Sequence, residues 1–121
     1  MPEFSKKSKE NLNTCEEDLK RLFCEVIKYH DCTILEGHRS MERQKELFRD
    51  GKSKTLGSNH LSLPSKAVDV MPYPIQWDDI EGQHMFATAV FSKAMEMGIR
   101  VRWGGSFKSF YDAPHWEIIG E

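Results

Sequence analysis

The sequence predicts an α+β fold, a small and mainly antiparallel sheet with flanking helices. Three observations lead there. The chain has 121 residues, enough for one hydrophobic core but not for two. Helix-period and strand-period segments follow in the order helix, strand, helix, loop, strand, helix, strand, loop, strand. That order lacks the strict alternation that builds a parallel α/β sheet. Internal repeats and low-complexity tracts are absent from the sequence.

Residues 1–11 are polar and read as a disordered lead-in, leaving 12–121 as a single domain. Thr14 and Glu17 form a T-x-x-E capping-box pattern. Behind it Leu19, Leu22, Phe23, Val26 and Ile27 recur at helical spacing and predict an amphipathic helix. CTILE at 32–36 is a short β-type run ending at Gly37. Ser40 is placed to cap a second helix, with Leu47 and Phe48 on its buried side and Gly51 as its stop. Residues 51–66 hold too many Gly, Ser, Lys and Pro for a regular element, and a loop this long in a small domain is usually functional or disordered.

AVDVM follows as a strand, with Ala67, Asp69 and Met71 on one face and Val68 and Val70 on the other. Pro72 and Pro74 end it. Residues 77–97 read as the longest helix, opened by Asp78 and Asp79 and closed by Gly98, with Phe86, Val90 and Met97 turned inward. IRVRW at 99–103 is a strand, 104–114 a loop, and HWEII at 115–119 the last strand.

A charged fraction of 30% and a net charge of −2 fit a soluble globular domain and offer no global attraction to nucleic acid or anionic lipid. No finger-type ligand spacing is present, so a nucleic-acid partner is not expected. Lys52, Lys54 and Lys66 form a local basic cluster whose plain reading is a solvated loop. No apolar run approaches the roughly 18 residues of a membrane span, and the polar N-terminus lacks a secretory core. Synthesis in the cytoplasm is therefore expected, with a separate agent delivering the protein to any substrate beyond the membrane. The three cysteines, Cys15, Cys24 and Cys32, have no CxxC spacing. They read as reduced thiols, with Cys24 near the apolar helix face. Nothing suggests more than a monomer.

The chemistry is carried by His60 and Asp69 in one segment and Asp112 and His115 in another. Two imidazoles and a carboxylate suffice to bind Zn²⁺ with one position open, as in catalytic rather than structural sites. Asp69 stands among valines, and a carboxylate in a buried strand needs a metal or a cation; Arg100 and Arg102 are the competing partners. A lone His115 at a strand start is more often structural than a ligand; its convergence with His60 and Asp69 changes that balance. Asp112, three residues before His115, is the candidate base, taking a proton from a water that zinc acidifies to a pKa of about 7 and passing it to a leaving amine. Arg39 is a candidate to grip a substrate carbonyl or the developing oxyanion. Its plain alternative is a surface ion pair with Glu36, Glu42 or Asp50. His30 reads as a helix C-terminal residue, His84 as mid-helix, and His38 as an outer contact of the site.

These residues lie in the pieces EGHRS (36–40) with Gln44, SNH (58–60), AVDVMP (67–72), RWGG (102–105) and DAPHWE (112–117). In that order they resemble the VanY/VanX-type zinc peptidases of peptidoglycan, and within that group the short bacteriophage endolysins of the L-alanyl-D-glutamate peptidase type. The resemblance runs from about Thr14 to Ile119. It implies that His60, Asp69 and His115 bind zinc, that Asp112 is the catalytic base, and that Arg39 holds the substrate or oxyanion. It also implies the small fold shared with the D-Ala-D-Ala peptidases and the hedgehog signalling domain. Two departures stand out. The step from His60 to Asp69 is nine residues with Pro64 inside it, where the family commonly has seven and a Gly. The stretch after Gly105, SFKSFY, lacks the acidic residue that often follows WGG.

The expected function is that of a zinc endopeptidase cutting the L-Ala–D-Glu bond of the stem peptide, made in a phage-infected cell and released through a separate pore-forming protein. A D-alanyl-D-alanine carboxypeptidase would use the same metal. A catalytically silent zinc- or wall-binding module is the alternative from another class, and Asp112, which such a module has no use for, argues against it.

Overall fold

A computed structural model of the chain describes residues 2–53, 55, 57–107 and 110–120. Four short strands, β1 (Cys32–Glu36), β2 (Ala67–Pro72), β3 (Val101–Trp103) and β4 (His115–Ile118), form one sheet in the order β1-β2-β4-β3. Each of its pairings is antiparallel. The helices are α1 (Lys6–Leu12), α2 (Glu17–Val26), α3 (Met41–Arg49) and α4 (Ile80–Met97). The α+β architecture with its antiparallel sheet is as the sequence predicts.

Strand alternation splits the sheet into two chemically different faces. Ile34, Val68, Val70 and Trp116 turn to one side, where Leu19, Leu22, Phe23 and Val26 of α2 and Phe86, Ala87, Val90 and Ala94 of α4 complete the core. The Trp116 ring meets Phe23 and Phe91 edge-on and stacks on Trp103. Asp69, His115 and Glu117 turn to the other side, away from α2 and α4.

Several local expectations are corrected. The supposed disordered lead-in contains α1, capped by Ser5, whose Oγ accepts from Ser8 N. Its polar residues serve the edge strand: Ser8 Oγ accepts from Ile34 N, and Asn11 Nδ2 donates to the carbonyls of Ile34 and Leu35. Leu12 adds an apolar anchor to the core. A polar segment whose side chains satisfy a strand edge carries no hydrophobic period, so the sequence conceals it. Thr14 is likewise no helix cap; its hydroxyl donates to Asn11 O and accepts from His38 N, while α2 starts behind Glu16 without a side-chain cap. Ser40 does cap α3, accepting from Arg43 N. The buried residue of that helix, however, is Gln44, while Leu47 is half-buried and Phe48 exposed. The longest helix starts three residues later than expected, behind Asp79, and ends at Gly98 in the left-handed conformation, φ 72°.

Cys24 is exposed, and the packed thiols are Cys15 and Cys32. Burial pushes their pKa values up to about 11 and about 12, so both stay protonated and inert. No helix among the described residues is long and apolar enough to cross a membrane.

Candidate metal centre

Register brings the candidate ligands together. Asp69 of β2 lies directly opposite His115 of β4, so two residues 46 positions apart in sequence share one cross-strand pair. On the other side of β2 the ladder with β1 slips between Ile34 and Glu36, and the slip sets Glu36 opposite Asp69. Without that bulge Leu35 would stand there, so one extra residue re-aims a carboxylate towards the site. His60 comes from the short 3-10 turn Asn59–Leu61, which Ser58 caps by accepting from His60 N.

His60 Nε2 lies 3.1 Å from Asp69 Oδ1, and His115 Nδ1 lies 3.6 Å from the same oxygen. One ligand atom from each of the three residues falls within 4.8 Å of the others. Ligand atoms at 2.0–2.1 Å from a tetrahedral zinc stand about 3.3 Å apart, so separations of 3.1 and 3.6 Å bracket the distance a metal needs. The remaining ring nitrogens are oriented for the same purpose. His60 Nδ1 is 2.7 Å from Gly37 O, which can only accept, so that nitrogen carries the proton and Nε2 faces inward. His115 Nε2 is 2.6 Å from Glu117 Oε1, which leaves Nδ1 for the metal side. Metal-binding imidazoles are commonly fixed by a carbonyl or carboxylate in this way. The donor set fits Zn²⁺.

The electrostatics agree. Burial works to raise the Asp69 carboxyl, but hydrogen bonds from His115 and His60 outweigh it and hold the group well below the usual carboxylate range. Burial pulls the His115 pKa down, yet the bonds to Asp69 and Glu117 prevail and raise it to about 9. Glu117 is lowered chiefly by its bond to His115. Asp112 shifts the other way: burial first, then the charge of Asp69, raise its pKa.

Asp112 stands beside the ligand group without joining it, with Oδ2 4.0 Å from His115 Nδ1. Its turn is clamped by the RWGG segment. Asp112 N donates to Gly104 O, His115 N to Asp112 O, and Trp103 Nε1 to Ala113 O at 2.6 Å. A Cβ on Gly104 would sit 2.1 Å from Asp112 O and 2.9 Å from the Cβ atoms of Asp112 and His115, so only glycine allows this approach. Tyr111 OH donates to buried Gln83 of α4, and His84 packs edge-on against Trp103. His84 thus supports the turn from outside the metal group.

Arg39 is buried and heavily engaged. Nε and Nη2 donate to Glu36 Oε1 at 3.1 and 2.6 Å, Nη1 donates to Gln44 Oε1 at 2.7 Å, and Nη2 lies 3.6 Å from Asp69 Oδ2. Its pairing with Glu36 is therefore an interior contact, not the surface pair of the plain alternative. The arginine competing for Asp69 is Arg39; Arg102 pairs with Glu117 at 3.6 Å. His38 is exposed, with Nδ1 3.0 Å from Ser62 O, and is not part of the group. Of the basic cluster, Lys52 lines the site, Lys66 is exposed, and Lys54 lies outside the described residues. Lys108 and Ser109 of the stretch after Gly105 also lie outside them.

His60, Asp69, Asp112 and His115 all open into one cavity of about 420 Å³, lined also by Arg43 and Leu47 of α3 and by Phe107 and Phe110. Phe107 leans on the His115 ring, centroids 5.6 Å apart. Glu36, Gly104, Phe107 and Phe110 were not singled out from sequence as site residues. The Gly pair after Trp103 was the available signal for the first close approach, whereas the bulge that recruits Glu36 leaves no mark in the sequence.

A family model described as phage L-alanyl-D-glutamate peptidase matches residues 2–119. The L-alanyl-D-glutamate peptidase of Escherichia phage T5 is 24% identical over 133 aligned positions, covering 96% of this chain and 97% of that protein. The crystal structure of the Serratia marcescens L-Ala D-Glu endopeptidase ChiX superposes with a TM-score of 0.84 at 38% identity, covering 96% of this chain and 89% of the other.

Proposed function

This chain belongs to the phage L-alanyl-D-glutamate peptidase family, and from that premise we propose that it is a zinc-dependent endopeptidase hydrolysing the L-Ala–D-Glu bond of the peptidoglycan stem peptide. The observation that carries the reading is Asp112, a carboxylate of raised pKa held beside a three-ligand metal group but outside it. A structural zinc site closes its fourth position with a protein ligand, whereas a hydrolytic one leaves that position to water and keeps a base beside it.

His60 Nε2, Asp69 Oδ1 and His115 Nδ1 would hold the metal. Zinc, when bound, supplies a Lewis acid for the scissile carbonyl and acidifies the attacking water. Asp112 takes the proton of that water, its basicity strengthened by burial and by the neighbouring Asp69 charge, and returns it to the departing amine of D-Glu. Arg39 fixes Asp69 and Glu36 and sets a buried positive charge at the cavity floor, where negative charge builds on the carbonyl oxygen. Phe107 and Phe110 shield one side of the cleft. The protein acts as a monomer after cytoplasmic synthesis and reaches the wall through a separate pore-forming protein.

The test is mass spectrometry of purified peptidoglycan digested by zinc-loaded protein beside Asp112→Ala. New fragments beginning with D-Glu are expected from the native protein. The variant should retain zinc and lose about 10²–10⁴-fold in rate. Release of a single terminal D-Ala would replace this reading with the carboxypeptidase, and no product from a zinc-loaded protein would leave a binding module.

A further inference from the structure

The cavity is rich in negative charge: Glu36, Asp69, Asp112 and Glu117 all line it. The substrate class proposed above is anionic too. D-Glu enters the stem peptide through its side-chain carboxyl, which leaves its α-carboxylate beside the scissile bond, and the next residue in some walls adds another. A bound metal would offset part of the cavity's charge, but its open position is taken up by the scissile carbonyl and water; away from it, groups of like charge associate poorly unless cations stand between them. Arg39 is committed to Glu36, Gln44 and Asp69. Among the described residues lining the cavity, two further cations remain, Arg43 on α3 and Lys52 just beyond Gly51.

Both side chains are available. Among the described residues the Arg43 guanidinium pairs only with Glu46, at 3.5 Å on the open helix surface, a pair of the kind that contributes little. Lys52 has no ion pair among the described residues. The backbone beneath them is nevertheless firmly set. Lys52 N and Ser53 N both donate to Leu47 O, at 2.8 and 3.1 Å. Gln44, fully buried, accepts from Arg39 and donates to Ser53 Oγ and Thr55 O at 2.8 and 2.6 Å. One amide thus joins the arginine of the floor to the segment that carries the rim cation.

We infer that Arg43 and Lys52 form a carboxylate-recognising rim that selects stem peptides with a free carboxylate on the leaving-group side of the scissile bond. The inference rests on the endopeptidase reading for its substrate class. It gives the rim, rather than Arg39, the task of reading substrate charge.

The probes are three N-acetylated, C-amidated peptides: L-Ala-γ-D-Glu-L-Lys, its D-isoglutamine counterpart, and L-Ala-γ-D-Glu-diaminopimelate. Binding to zinc-loaded Asp112→Ala protein is measured by calorimetry, and cleavage by the otherwise native protein is followed in parallel. If the D-Glu α-carboxylate is the group read, the free acid binds about tenfold tighter than the isoglutamine peptide. If the neighbouring carboxylate is read, the diaminopimelate peptide exceeds the lysine peptide by a similar factor. Either preference should shrink between 50 mM and 500 mM salt, because exposed charges are screened. In the Arg43→Gln/Lys52→Gln double variant it should fall to within about twofold of none, with zinc content and thermal unfolding unchanged. Equal binding of all three peptides, no binding of any, or a preference that survives the double substitution overturns the rim. Cleavage at L-Ala–D-Glu without preference refutes the rim alone. Preference with cleavage at a different bond refutes the endopeptidase reading alone.

Discussion

Zinc binding should compete with one proton, and the structure says which. In the metal-free protein His115 is raised to about 9, since its bonds to Asp69 and Glu117 outweigh burial. The metal needs the Nδ1 lone pair that this proton occupies. At pH 7, roughly two units below that value, displacing it costs about 2.7 kcal/mol, or a hundredfold in affinity. The sign follows directly. Affinity rises as pH rises, about tenfold per unit from pH 7 to 9, and levels off once His115 is neutral without the metal. The assay is a competition titration against a chromophoric chelator at fixed ionic strength, with the chelator's own protonation taken into account. Calorimetry at pH 7 in buffers of different ionisation enthalpy should count close to one proton released per zinc. Glu117→Gln keeps the shape but removes the charge 2.6 Å from Nε2. The plateau should then begin at lower pH, and the limiting affinity should fall about 10- to 100-fold, as for other outer partners of metal-bound histidines. A flat affinity across pH 7–9 with no proton released would refute the assignment of His115 Nδ1 as the ligand atom.

Three further outcomes follow from the packing. Gly104→Ala forces a methyl into Asp112 O and against two Cβ atoms; it should cost about 1–3 kcal/mol in denaturant unfolding and weaken turnover and zinc retention together. Leu12→Ala, in the segment expected to be disordered, should cost about 2–5 kcal/mol, because Leu12 belongs to the core cluster; a change within 0.5 kcal/mol would return α1 to the status of a lead-in. Chelation should lower the melting temperature and zinc restore it, with about 2.7 kcal/mol regained when free zinc is a hundredfold above Kd; no shift would mean the metal does not bind the folded chain.

The strands and the convergence of the candidate ligands were legible in the sequence for the same reason. AVDVM and HWEII place acidic and imidazole groups at alternating positions, and once the strands pair, alternation alone puts Asp69 and His115 on one face. The two core-forming helices were equally open, because α2 and α4 bury apolar residues at helical spacing. Illegible were elements whose work is polar. α1 seals β1 through Ser8 and Asn11, and α3 turns a buried glutamine, not an apolar stripe, inward onto Arg39. The engaged state of Arg39 was also hidden, since the single-residue slip that aligns Glu36 with Asp69 is a property of strand pairing rather than of the residues themselves.

The unusual nine-residue step from His60 to Asp69 shows how such a site tolerates a longer connection. Two anchors, not loop length, set the distance between these ligands. At the start, His60 is tied to Gly37 through its ring, and Arg39 N donates to His60 O at 2.7 Å, so the histidine is fixed by the end of β1 rather than by its own loop. At the end, Ser65 N donates to Thr14 O and Lys66 N to Asn59 O, and Ser62 Oγ both donates to Asn59 O and accepts from Lys66 N. The loop therefore closes on itself between 59 and 66, and the additional length is displaced outward, where Leu63 is 72% exposed. Closure entropy grows only slowly with loop length, so two more residues cost well under 1 kcal/mol when neither anchor moves. The anchors lie just beyond the end of β1 and on the junction between α1 and α2. The N-terminal helix that covers β1 thus contributes to the metal geometry without approaching it, and damage at Ser8 or Asn11 should reach zinc affinity through Gly37 and His60.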